Sequence, residues 1–147
     1  MVFYIISLLG QYIGYILASK TKEELKQGKK YFKLTCLILL LLIGVYSLTV
    51  SFNVILLVIG LILGFLISKE YLYFGLISNN IFLASLIFIF GLPYGTLNYK
   101  NTKELNFNAI LFIFSFAIGY FFNLYSLAGG ALLGILIKKV LYNSVLR

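Results

Sequence analysis

Four stretches of this chain carry no charged residue, and together they hold most of its length: 1–19, 34–68, 71–99 and 105–137. A hydrocarbon core of about 30 Å needs about 20 apolar helical residues, and about 17 is the floor. The first run therefore holds one span, and the second and fourth hold two each. The third holds one, with residues left over. Charged residues make up 11% of the chain and hydrophobic ones 62%, whereas a soluble domain carries about a quarter charged residues. Runs of this length exclude a soluble protein with an apolar core. The expected fold is all-α: a polytopic integral membrane protein of about six transmembrane helices. The first run has no basic leader and no good cleavage site, so it reads as a span and not as a signal peptide.

The spans arrange themselves as two related halves. Gly10-Gln-Tyr-Ile-Gly14 precedes Thr21-Lys-Glu-Glu-Leu25, and Gly91-Leu-Pro-Tyr-Gly95 precedes Thr102-Lys-Glu-Leu105. Seven residues separate the second glycine from the threonine in both. Gly60 and Gly64 likewise match Gly130 and Gly134, and Gly44 matches Gly119. The offset falls from 81 residues at Gly10 to 75 at Gly44 and 70 at Gly60, as a diverged duplication with shortening loops would give. The division is 1–70 for the first three-helix repeat, 71–80 for an interfacial linker, and 81–147 for the second repeat. Helices are expected over 2–18, 32–47, 54–68, 81–97 and 107–122, with the last from 127. Each of the four glycine pairs, Gly10 with Gly14, Gly60 with Gly64, Gly91 with Gly95 and Gly130 with Gly134, lets a neighbouring backbone approach closely and so marks helix packing. Pro93 should kink or end its helix near Gly91. Between the first two spans, Thr21 with Glu24 fits a capping box and Gly28 fits a stop, so a short surface helix is expected over 22–27.

An odd number of spans per half places the halves upside down to one another, the inverted-repeat plan of many transporters. Lysines should then lie seven on one side, Lys69 included, and five basic residues on the other. The seven-lysine side, with the Lys20–Lys33 loop facing anionic headgroups, is expected to be cytoplasmic, with both termini outside, in the plasma membrane of a microbe. Had the linker itself crossed, all twelve basic residues would share one side. Its ten residues, however, make only about 15 Å of helix, too short for a span. A linker dipping part-way in, shielded by protein, is the alternative.

The chemistry is restricted. There is no histidine and no tryptophan, and all four carboxylates are glutamates in or beside the surface segments. No metal set can be assembled and a serine nucleophile would lack a His base and an Asp partner, though Ser–Lys variants exist; no catalytic residue, metal or cofactor is expected, and the chain does not read as an enzyme. Cys36 is the only cysteine and reads as a small hydrophobe. The tyrosines read as interfacial anchors. Neutral polar groups at depth remain: Gln11 and Ser85, with the helix break at Pro93, are the candidate permeant contacts. The first functional expectation is a small permease or channel-like protein; homodimerisation is expected under this reading and the next. The second is a non-transporting scaffold or accessory subunit of a membrane complex.

Overall fold

The computed structural model describes residues 2–21 and 25–145, and every regular element among them is a helix. In order these are α1 (Val2–Lys20), α2 (Leu25–Val50), α3 (Val54–Leu66), α4 (Glu70–Ile77), α5 (Ile81–Leu97), α6 (Thr102–Phe121) and α7 (Tyr125–Val145). Three helical stretches are long and apolar enough to cross a membrane: Gly28–Val50, Thr102–Phe121 and Tyr125–Tyr142. The outer surface agrees with a membrane setting. Ile55, Ile110 and Phe121 are 72%, 65% and 78% exposed, and apolar surface on that scale suits an apolar solvent.

The helices differ from expectation at several places: α6 begins at Thr102 and not at 107, and α2 and α5 pass through residues expected to stop or break a helix. Helix α2 begins at Leu25 and passes through Gly28 without stopping. One interior glycine costs a helix about 1 kcal/mol, which the long apolar continuation outweighs. No separate surface helix forms over 25–27; residues 22–24, with Glu24 of the expected capping box, lie outside the described residues. Helix α5 likewise continues through Pro93 to Leu97. Proline removes one backbone hydrogen bond, and neighbouring groups can satisfy what it frees. The carbonyl that Pro93 frees is that of Ile89; separately, the Thr96 hydroxyl ties α5 to α1, lying 2.8 Å from the Leu92 carbonyl oxygen and 3.2 Å from that of Gly14.

The glycine pairs set the directions. A methyl group built on Gly10 would run into the carbonyl of Phe88, and one on Gly14 into that of Leu92. Gly91 and Gly95 press on the Gln11 backbone in return. Residue numbers rise together along this seam, so α1 and α5 are parallel. Gly60 meets Leu127, and Gly64 meets Ala131, so α3 and α7 are parallel too. Corresponding helices of the two halves therefore run the same way, and the inverted arrangement is corrected. Segments 19–21 and 98–106 lie at the same end of the bundle, as do Lys69 and the Lys138–Lys139 pair. We call this the basic end: all lysines among the described residues are there. At the far end, Ser126 joins the α2–α3 turn to α7, donating to the Ser51 carbonyl and accepting from the Asn53 amide at 2.8 Å. Helix α1 starts at the far end and α7 finishes at the basic end, so the expectation that both ends of the chain share a side also fails.

The reversal is made by α4, where an interfacial linker was expected. Lys69 sits beside Glu104 at the start of α6, and Asn79 Nδ2 donates to the Gly119 carbonyl at 2.7 Å near its finish. Residues 69–79 thus keep pace with about 22 Å of α6. Eight residues are far too few to span lipid alone. Here the helix has almost no lipid face: Glu70, Tyr71, Tyr73, Phe74, Gly75, Leu76 and Ile77 are buried, and Leu72 is partly so. A helix apolar all round belongs inside a bundle. Gly75 admits the Phe112 backbone and Ser115 of α6, and Gly119 admits Leu76. The turn closes on its own side chains: Ser78 donates to the Gly75 carbonyl at 2.9 Å, and Asn80 caps α5 by accepting from Phe82 and Leu83.

The core around α4 is aromatic. Tyr71 meets Phe74 at 5.5 Å and Tyr94 at 5.2 Å between ring centroids, and Phe74 meets Phe90 at 4.9 Å. Phe112 closes the group at 6.5 Å from Tyr71. Tyr71, Tyr73 and Tyr94 are therefore interior residues and not headgroup anchors. Edge-on rings of this kind are each worth about 0.5–1.5 kcal/mol beyond the area they bury.

Two stability measurements test this packing. Gly14→Leu should cost about 2 kcal/mol or more by overpacking, whereas Gly28→Ala, which meets only the movable ring of Phe32, should be neutral or stabilise by up to about 1 kcal/mol. Phe74→Ala should cost about 3–5 kcal/mol, against about 0.5 kcal/mol or less for exposed Phe121→Ala. Reversible unfolding in mixed micelles reads both.

Candidate functional site

The helices part at the basic end around a cavity of about 520 Å³. Five elements line it. Lys29, Lys33, Cys36 and Leu37 come from α2; Ser68 precedes α4 and Glu70 begins it; Tyr94 and Leu97 close α5 with Asn98 behind them; Glu104 comes from α6 and Lys139 from α7. The volume falls within the range of small-molecule sites.

Helical spacing explains the α2 wall. Lys29, Lys33 and either Cys36 or Leu37 are three or four residues apart, so they stack on one face. The two lysines lie toward the mouth, and the buried Cys36 lies a turn deeper. On the opposite wall, Lys139 makes an ion pair with Glu70, whose side chain is only 5% exposed. A carboxylate that deep is tolerable because a cation meets it. Glu70 was expected in a surface segment; it is interior because α4 is. Glu104 is also occupied, 3.7 Å from Lys69 Nζ and accepting from Asn101 Nδ2 at 3.0 Å. The Tyr94 hydroxyl accepts from Asn108 Nδ2 at 2.9 Å.

Two things are left over. No carboxylate among the described residues pairs with Lys29 or Lys33. The Ser68 hydroxyl oxygen is buried without a hydrogen-bond partner. Like charges one turn apart on a helix cost a few tenths of a kcal/mol, and an orphaned buried hydroxyl costs about 1–3 kcal/mol. An anion in the cavity would relieve the first, and the second once the Ser68 hydroxyl turns toward it.

The three candidate permeant contacts lie elsewhere. Gln11 is buried at the α1–α6 contact, with Nε2 donating to the Leu105 carbonyl at 3.4 Å and Oε1 unpartnered. Ser85 is exposed on the outer surface, its hydroxyl donating to the Ile81 carbonyl at 3.0 Å, so it is not an interior group. Pro93 is buried within α5. None lines the cavity. The lining residues that sequence reasoning missed had one legible signal, the i, i+4 spacing of Lys29 and Lys33. The pairing of Glu70 with Lys139, 69 residues away, had none.

The buried pair has a measurable signature. Lys139→Met strands the Glu70 carboxylate and should cost about 2 kcal/mol, a figure reduced for the partial exposure of Lys139. Adding Glu70→Gln should recover at least half of that loss. A double-mutant cycle in mixed micelles checks the sign.

Comparison with protein families, with curated proteins and with solved structures finds no match for this chain, so its function is read from the chemistry of the cavity.

Proposed function

We propose that the chain is an integral membrane protein that holds its basic end in the cytoplasm and captures an anionic solute there. The observation that carries this reading is the pair Lys29 and Lys33, uncompensated by any described carboxylate, on the wall of a cavity of metabolite size. The orientation is supported by the lysines lying together at that end, since cytoplasmic segments carry the excess of Lys and Arg. A field of one sign in a concave, low-dielectric site concentrates ions of the other sign.

Capture is favoured over free conduction by what lies deeper in the bundle. Tyr71, Phe74, Phe90 and Phe112 are packed together with no more than 1% exposure each. A channel needs an open route through that layer. A permease keeps the cavity as its cytoplasmic vestibule and requires the aromatic layer to part in a second conformation. A pure scaffold leaves the cavity and its lysines without a use.

Thiol labelling tests side and sign together. In a Cys36→Ala background, Leu37→Cys places one thiol on the cavity wall. An anionic methanethiosulfonate should modify it from the cytoplasmic face only. Relative to their rates with a free thiol, the anionic reagent should outrun a cationic one by about threefold or more. Modification from the opposite face, or a preference for the cation, refutes the proposal.

A further inference from the structure

We infer that the captured anion is a dianionic phosphate monoester, either a phosphorylated small metabolite or the headgroup phosphate of a lipid; this rests on the cavity reading above. Charge bookkeeping comes first. Glu70 is matched by Lys139, and Glu104 is matched by Lys69 and Asn101. Among the described residues, two ammonium groups on the cavity wall, Lys29 and Lys33, remain for the ligand. A carboxylate or sulfonate, with a single charge, leaves one of them unmatched. A phosphate monoester carries about −1.5 to −2 at neutral pH and offers three acceptor oxygens.

Geometry agrees. Residues four apart on a helix have β carbons about 5–6 Å from one another, and lysine stems are long and flexible. Both ammonium groups can therefore close on one phosphate, each taking an oxygen. Ser68 lines the same cavity, and its buried hydroxyl, without a partner in the protein, has to turn out of its closed position to donate to the third oxygen. Leu37 and Leu97 supply apolar wall for the organic part of the ester. The cavity, at about 520 Å³, has room for the phosphate and a short stem together.

The test uses the full chain in phosphatidylcholine nanodiscs, titrated with phenyl phosphate, benzenesulfonate and benzoate, which share a ring and differ in charge and oxygen count. Phenyl phosphate should bind about tenfold tighter than either monoanion. Lys29→Gln with Lys33→Gln should weaken it by about tenfold or more, and Ser68→Ala by about threefold. Lys100→Gln with Lys103→Gln removes the same charge away from the cavity and should change it less than twofold. Phosphatidic acid added to the discs separates the two sources. If it competes with phenyl phosphate, the ligand is a lipid headgroup; if it does not, the ligand is a soluble phosphate ester. Both results require the lysine pair. Equal affinity for benzoate or benzenesulfonate overturns the phosphate assignment while leaving the labelling result, and so the cavity reading, intact. Absence of binding by all three probes, or equal losses in the two lysine doubles, overturns the phosphate assignment as well.

Discussion

A peptide group in hydrocarbon has no water to bond to, so its partner must come from the chain itself. That rule fixes a minimum length for a helix surrounded by lipid. It says nothing of the kind about a helix surrounded by protein. Helix α4 exploits the difference. With eight helical residues and a turn closed by its own Ser78 and Asn80 side chains, it carries the chain back toward the far end inside a sheath of other helices. Every later helix takes its direction from that reversal. The lysines of α1, α2, α6 and α7, with Lys69 and Lys100 of the connections, then gather at one end, and the cavity forms where the helix ends meet around the start of α4.

The second support is close backbone approach. In lipid there is little hydrophobic drive to bring apolar helices together, so association depends on dispersion between well-fitted surfaces. The two glycine seams, α1 on α5 and α3 on α7, supply that fit, and both are parallel. They clamp the outer helices in pairs and leave α2 to cross between them against α5 and α7. The parting of α2 from its neighbours at the basic end, with Lys29 and Lys33 on the exposed wall, is the geometric residue of that arrangement.

Much of the helical architecture was legible because its signals are local. Charge-free run lengths mark the helices, and four glycine pairs mark the positions where backbones touch. The direction of the second half was not legible from length. Two sequence signals disagreed there: 71–80 is too short for a lipid-facing span, yet a crossing would bring the lysines together. The length criterion assumed a lipid neighbour that α4 does not have. The all-apolar, Gly75-centred make-up of 71–77 was the clue, since a linker lying in the headgroups would need a polar face. The site was less legible still. Lys29 and Lys33 announce a face, but Ser68, Glu70 and Lys139 come together only through the tertiary path of α4. Ser85 pointed the other way, polar by composition yet turned to the outer surface with its hydroxyl satisfied by its own helix.

The burial of α4 also imposes an order of events during synthesis. Its packing partners are chiefly α6 and then α7, both of which leave the ribosome after it. Until they arrive, Glu70 has no cation and the Tyr71–Ile77 segment has no sheath, and it is too short to rest alone across the bilayer. The α4–α5 hairpin must therefore wait at the insertion machinery or the membrane surface while the last third of the chain is still being made. Truncation after α5 would leave not a smaller version of this fold but a segment with nowhere stable to go.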